Sequence, residues 1–89
     1  RRMDNFRNNL KAVAERGTSA LDNERGRLMR QYDRLKGDIT TYENNLGFLN
    51  VSSKKGNSLI EEMKRRIQKL KDELEETRQK IKEIDAQNK

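Results

Sequence analysis

Apolar side chains recur in two long stripes along the chain, at steps that alternate between three and four residues. The first stripe begins at Leu21, one heptad ahead of the rest, and continues through Leu28, Tyr32, Leu35, Ile39, Tyr42, Leu46 and Leu49. The second stripe consists of Ile60, Met63, Ile67, Leu70, Leu74, Thr77, Ile81 and Ile84. A repeat of about 3.5 residues keeps apolar side chains on one seam of a supercoiled helix, whereas a straight helix drifts off that seam. The pattern therefore predicts two long helices that pack along a common seam.

A polar segment at 50–57 separates the two stripes and contains Gly56. Polar residues with glycine between two helical patterns indicate a loop. Ser58, followed three residues later by Glu61, has the spacing of a capping box at the start of a helix. We therefore predict an all-α fold, a long antiparallel helical hairpin (a two-helix coiled coil) over residues 19–87 with its turn near 50–57.

An antiparallel register follows if Leu49 lies opposite Ile60. In this register Thr77, the only small polar residue of the seam, faces the bulky Tyr32. A large side chain against a small one is the pairing that a close-packed seam requires, so the pairing supports the register. At the turn end Phe48, Leu49 and Val51 form an apolar element, which we expect to close the hairpin by packing; a docking surface is the less favoured alternative.

A shorter apolar stripe of Phe6, Leu10 and Val13 precedes the hairpin and is out of phase with its first stripe. We expect residues 3–16 to be helical, to overhang the hairpin and to have no partner within this chain. Residues 1–18 are interpreted as a helical extension that forms the end of a preceding module. Because an uncovered apolar stripe needs a partner, Phe6, Leu10 and Val13 are predicted to form an oligomer or docking contact.

Composition narrows the chemistry that the chain can perform. Charged residues make up 40% of the 89 residues and hydrophobic residues 30%, which suits helices that each bury one narrow stripe. The chain has no cysteine and no histidine, which excludes disulfides, thiol nucleophiles and imidazole metal ligands. No apolar run approaches the roughly 20 residues that cross a bilayer. We therefore expect no enzymatic activity, no metal, no cofactor, no membrane contact and no small-molecule substrate.

Two basic features are candidate contacts for nucleic acid or another anion in this chain of net charge +6. Arg27, Arg30 and Arg34 are three and four residues apart on a helix face away from the seam, and guanidinium groups bind phosphate oxygens in pairs. Lys54 and Lys55 lie just before a helix N-terminus, where backbone amides attract anions. A solvated coiled-coil surface and a lysine-solubilised turn are the competing interpretations, and we favour them.

Four segments around the turn resemble one bacterial protein family. They are YDRLK at 32–36, TYENNLGFL at 41–49, SSKKG at 52–56 and LIEEM at 59–63. The chain resembles the family called domain of unknown function 349, in its Bacteroidetes-type members, over residues 28–86. The resemblance implies a cytoplasmic bacterial protein of repeated helical modules that ends in a coiled coil, of which this chain would be the C-terminal tail. It implies no activity, and the chain lacks the tryptophan-containing repeats of the family.

Two functions from different classes are open at this point. The first, which we prefer, is a non-enzymatic coiled-coil interaction or spacer arm of a larger protein, used for self-association or protein docking. The alternative is a basic helical arm that binds RNA or another nucleic acid through Lys54, Lys55 and the arginine row. Electrostatic binding weakens steeply as salt rises, so salt dependence separates the two.

Overall fold

The computed structural model describes residues 2–52 and 58–87, which form an all-α fold. This part of the chain contains three helices, namely α1 (Arg2–Glu15), α2 (Thr18–Ser52) and α3 (Ser58–Gln87). Helices α2 and α3 pack along each other in opposite directions, because the start of α2 contacts the end of α3. The predicted all-α hairpin with an N-terminal helical extension is confirmed. The molecule is elongated, with principal extents of 57 × 23 × 15 Å.

The hairpin helices begin and end close to their predicted bounds. Helix α3 begins at Ser58 and carries Glu61 in its first turn, as the capping-box spacing predicts. Helix α2 continues to Ser52, so the first three residues of the predicted turn are helical instead. The remainder of that turn, residues 53–57, lies outside the described residues, and Lys54 and Lys55 lie there with it.

The seam contains every residue of the two predicted stripes. Nine of these residues are buried, namely Leu21, Leu28, Leu35, Ile39, Ile60, Ile67, Thr77, Ile81 and Ile84, and the other seven are half-buried. Thr77 donates its hydroxyl to the Glu73 carbonyl at 2.8 Å, so its one polar side-chain group is satisfied within its own helix. The guanidinium of Arg66 lies 5.6 Å from the centre of the Tyr42 ring, and Arg25 Nε lies 2.8 Å from Asp85 Oδ1. Both contacts fit the predicted register.

The expectation that the N-terminal apolar stripe has no partner in this chain is wrong. After α1 the chain turns back at Arg16 and Gly17, whose amides donate to the carbonyls of Val13 at 3.0 Å and Ala14 at 3.1 Å. Gly17 has φ of +113°, a conformation that side chains with a Cβ rarely adopt. The reversal lays α1 against both hairpin helices, and Leu10 is left only 2% exposed.

The core of the molecule is therefore a three-helix cluster at one end of the hairpin. Its buried members are Leu10, Leu21, Leu28, Ile81 and Ile84, with Phe6, Val13, Ala14, Met29 and Tyr32 packed against them. We call this the braced end. The opposite end, residues 42–52 of α2 and 58–66 of α3, has only two helices, and we call it the distal end. Three helices can enclose a side chain on all sides, whereas at the two-helix distal end only Ile60 of the seam is buried and Tyr42, Leu46, Leu49 and Met63 are half-buried.

Candidate functional site

Three features of the described residues bear on where a functional site can lie. Within ranges 2–52 and 58–87 no three acidic side chains cluster so as to hold a metal ion. Every buried side-chain nitrogen or oxygen in those ranges has a hydrogen-bond partner. None of the helices in the described part is long and apolar enough to cross a membrane. Two surfaces remain as candidate sites, one apolar and one basic.

The apolar candidate is a shallow groove at the distal end, which we call the distal groove. It is lined by Tyr42, Leu59, Glu62, Met63, Arg65 and Arg66. Leu59 is 50% exposed, and Phe48, on the neighbouring helix, is 75% exposed. Among the described residues nothing encloses Phe48, so the expectation that it packs to close the hairpin end is wrong. Leu49 is half-buried, and the side chain of Val51 lies outside the described residues.

Helix α1 and the distal groove lie on the same side of the hairpin. Positions seven residues apart share one line along a coiled-coil helix. One such line on α3 consists of Leu59, Arg66, Glu73 and Lys80. Helix α1 covers the Lys80 end of this line, since Lys80 Nζ lies 5.3 Å from the centre of the Phe6 ring. Phe6 also lines a concavity with Glu73. Among the described residues no helix covers the Leu59 end of the same line, and Leu59 is 50% exposed.

On α2 the line with the same seven-residue spacing that faces α1 consists of Ala20, Arg27, Arg34, Thr41 and Phe48. Ala20 and Arg27 line a concavity together with Val13 of α1, so α1 covers this line at the braced end as well. Phe48 stands at its far end. The two most exposed large apolar side chains of the described part, Phe48 and Leu59, therefore extend the face on which α1 is already packed.

The basic candidate is an arginine face beside α1. The structure brings Arg27, Arg30 and Arg34 together as predicted and adds Arg16, the residue after α1, which sequence reasoning missed. One concavity is lined by Arg16, Arg27 and Arg30 among others, and an adjoining one by Arg27, Arg30, Gln31 and Arg34. Only the reversal at Gly17 places Arg16 here, and the glycine was the one signal in the sequence that could have indicated it.

The four arginines differ in their electrostatic partners. Arg27 donates to both carboxylate oxygens of Glu24, and this hydrogen bonding raises the pKa of its guanidinium. Within the described part of the chain, Arg16, Arg30 and Arg34 make no side-chain ion pair or hydrogen bond. Much of the basic surface elsewhere is paired, as with Lys71 Nζ and Glu43 Oε2 at 3.2 Å or Arg7 Nη2 and Glu83 Oε1 at 3.0 Å.

The remaining predicted site residues fall in two groups. The predicted oligomer or docking contact of Phe6, Leu10 and Val13 assumes an uncovered stripe, but Leu10 is buried between α2 and α3, and Phe6 and Val13 are partly buried against the same cluster. Lys54 and Lys55 lie outside the described residues. The side of α1 that faces the hairpin is therefore part of the core, and the candidate contact surfaces are the distal groove and the arginine face.

Comparisons of the chain with protein-family models, with curated proteins and with solved structures give no match. The resemblance to the domain of unknown function 349 therefore stays a prediction, and the function rests on the two surfaces.

Proposed function

We propose that the chain is a non-enzymatic helical interaction arm that docks a helix of a partner protein in the distal groove. The observation that carries the proposal is the exposure of Phe48 at 75% and Leu59 at 50% on the side of the hairpin that α1 covers elsewhere. Single exposed apolar residues are common on protein surfaces and need no explanation. These two continue a face that already binds a helix, and that continuity supports a docking role.

The seam beneath the distal groove adds apolar surface to it. Tyr42 and Met63 line the groove, and both are half-buried, as are Leu46 and Leu49 on the same stripe. At the braced end the equivalent seam residues Leu28 and Ile84 are almost completely enclosed, at 1% and 0% exposure. A third helix over the distal end would bury this surface in the way that α1 does at the braced end.

Helix α1 also indicates what kind of helix would fit. It meets the hairpin through Phe6, Leu10 and Val13, whose spacing of four and three places them on one face. The distal groove carries Arg65 and Arg66 against a single acidic residue, Glu62. We therefore expect the partner helix to combine an apolar stripe of the same spacing with acidic flanks, since helix-in-groove docking uses such anchors.

A second copy of this chain fits the groove less well than a single helix. Two copies laid face to face in the same direction would be held apart by their own α1 helices, each about 10 Å thick. Laid in opposite directions, the apolar tip of one copy would lie against the charged middle of the other, at Arg34, Asp38 and Lys69. Burying unpaired charges against phenylalanine and leucine is unfavourable.

The elongated shape supports the spacer aspect of the proposal. With an extent of 57 Å, the arm separates the distal groove from the reversal at Gly17 and from the end of α3 at Gln87. The cytoplasmic location in a bacterium and the membership of a larger protein, both implied by the resemblance, belong to the proposal as well.

Site-specific photo-crosslinking in the producing cells tests this function. We would replace Phe48 or Leu59 by p-benzoylphenylalanine and compare both with the same replacement at Glu43, which lies on the opposite side of α2. We expect adducts from positions 48 and 59, little from position 43, and an adduct mass that differs from twice the chain. Adding Leu59→Glu should suppress the adduct at position 48.

Two results would count against the proposal. Equal adduct yields at positions 48 and 43 would show that the distal end has no preferred partner. An adduct of twice the mass of the chain would replace the heterologous partner with self-association.

A further inference from the structure

We propose that Arg16, Arg30 and Arg34 form a second binding site, separate from the distal groove, that takes the phosphodiester backbone of a nucleic acid. The site is built from two segments of the chain, because Arg16 lies in the reversal directly after α1 while Arg30 and Arg34 lie on α2. It does not depend on Lys54 or Lys55.

The arginines follow one continuous strip of surface. The two concavities that they line share Arg27 and Arg30, so the strip runs from Arg16 to Arg34 without interruption. From Ala20, beside Arg16, to Arg34 the helix rises by about 21 Å at 1.5 Å per residue. A duplex strand carries one phosphate per about 3.4 Å of axis, so this length faces several phosphates.

The strip is accessible because its floor lacks bulky side chains. If Gly26 carried a Cβ, that atom would lie 3.5 Å from Arg30 Nη1. The guanidinium of Arg30 therefore lies back along the helix, over a residue that has no side chain. Ala20 and Asn23 are the neighbouring floor residues. A phosphate can approach Arg30 and Arg34 from solvent and accept two hydrogen bonds from each planar guanidinium.

The lack of partners for Arg16, Arg30 and Arg34 within the described residues favours ligand binding by these three. An arginine that is already paired must give up its carboxylate before it binds a phosphate, and Arg27 is in that situation through Glu24. Glu24 therefore limits the site in two ways, since it occupies Arg27 and places a negative charge within the strip, in the concavity lined by Arg16. The neutral variant Glu24→Gln should therefore bind nucleic acid more tightly than the unmodified chain does.

The same surface indicates backbone contact rather than base recognition. No aromatic side chain lines either concavity, so stacking on bases has no platform there. Binding should therefore be independent of sequence and strongly dependent on salt. With about three phosphate contacts, raising salt from 50 to 200 mM should weaken binding by roughly 20-fold for a single strand and roughly 40-fold for a duplex.

The test is a titration of the 89-residue chain against fluorescently labelled single-stranded RNA, duplex RNA, duplex DNA and polyglutamate at both salt concentrations. The charge-reversal variant is Arg30→Glu with Arg34→Glu. Its control is Lys36→Glu with Lys82→Glu, which changes the net charge equally at exposed positions off the strip. Circular dichroism melting establishes that each variant is folded.

We expect nucleic-acid binding that falls steeply with salt, a loss of at least about tenfold in the arginine variant, and a change below about threefold in the control. Glu24→Gln should bind more tightly, and Leu59→Glu should leave binding unchanged, which separates this site from the distal groove. The nucleic acid that binds best identifies the source of the phosphates. Equal losses in the two charge-reversal variants, salt-independent binding, or polyglutamate binding as tightly as nucleic acid would overturn the proposal.

Discussion

The ammonium group of Lys80 lies 5.3 Å from the centre of the Phe6 ring, which joins α3 to α1 across the surface of the core. Arg7, the next residue of α1, reaches Glu83 one turn along α3, with Nη2 and Oε1 3.0 Å apart. Neither contact is buried, so both orient α1 more than they hold it. The main attachment of α1 is Leu10, enclosed among side chains of α2 and α3.

Replacing Leu10 by alanine should therefore destabilise the fold. Removing a buried leucine side chain costs about 2 to 5 kcal/mol. We expect the lower part of that range, because α1 can detach and leave the hairpin folded. Urea denaturation measures the loss, with Lys11→Ala on the exposed side of α1 as the control. Equal effects from the two substitutions would mean that α1 does not pack as described.

Two glycines should respond to alanine in opposite directions. Gly37 lies inside α2, where a Cβ would meet no other atom within 4 Å, so Gly37→Ala should stabilise the fold by about 0.5 to 1 kcal/mol. Gly17 has φ of +113° at the reversal after α1, so Gly17→Ala should destabilise the fold by about 1 to 3 kcal/mol. Thermal denaturation of the two variants beside the parent chain checks both. A stabilising Gly17→Ala would contradict the chain reversal.

Glu75 should make the stability of the fold depend on pH in the acid range. Arg78 donates two hydrogen bonds to its carboxylate, at 2.9 and 2.7 Å, and Gln79 donates a third at 3.0 Å. These bonds lower the pKa of Glu75 from its usual 4.5 to about 2. Because the folded pKa is below the unfolded one, the contribution of Glu75 is present above pH 4.5 and is lost as the pH falls toward 2.

An NMR titration of the Glu75 side chain in the folded protein measures this pKa directly. The Arg78→Met variant should return the pKa toward 4.5 and flatten the pH dependence of stability between 4.5 and 2. The Arg27→Met variant, which breaks a pair elsewhere, serves as the control and should leave the pKa of Glu75 in place. A Glu75 that titrates near 4.5 in the parent chain would show that the three hydrogen bonds do not persist in solution.

The periodicity of the sequence was sufficient to predict the hairpin, because each long stripe has only one face to bury. The seam positions and the start of α3 at Ser58 follow from the spacing of residue types along the chain. The spacing of apolar residues within one helix does not show which other helix packs against that apolar face. The sequence therefore predicts a partner outside the chain for the stripe through Leu10, whereas Leu10 belongs to the same buried cluster as Leu28 of α2 and Ile84 of α3.

The candidate sites were less predictable for the same reason. Arg30 and Arg34 share a helix face, which sequence spacing shows, whereas Arg16 joins them only after the chain reverses. The exposure of Phe48 could not be read from its apolar character, which equally fits packing at a hairpin end. Its position on the line that α1 covers becomes visible only once α1 is placed.

The central claim is that α1 completes the core at one end of the hairpin and leaves the other end open for a partner. Methyl NMR with a soluble paramagnetic relaxation agent tests both halves at once, because it reports how closely water approaches each side chain. At low protein concentration we expect the methyl groups of Leu10 to show as little paramagnetic relaxation as those of Leu28 and Ile84. The methyl groups of Leu59 should show strong paramagnetic relaxation. A Leu10 relaxed as strongly as Leu59 would show that α1 is detached, and a protected Leu59 would show that the distal groove is already filled.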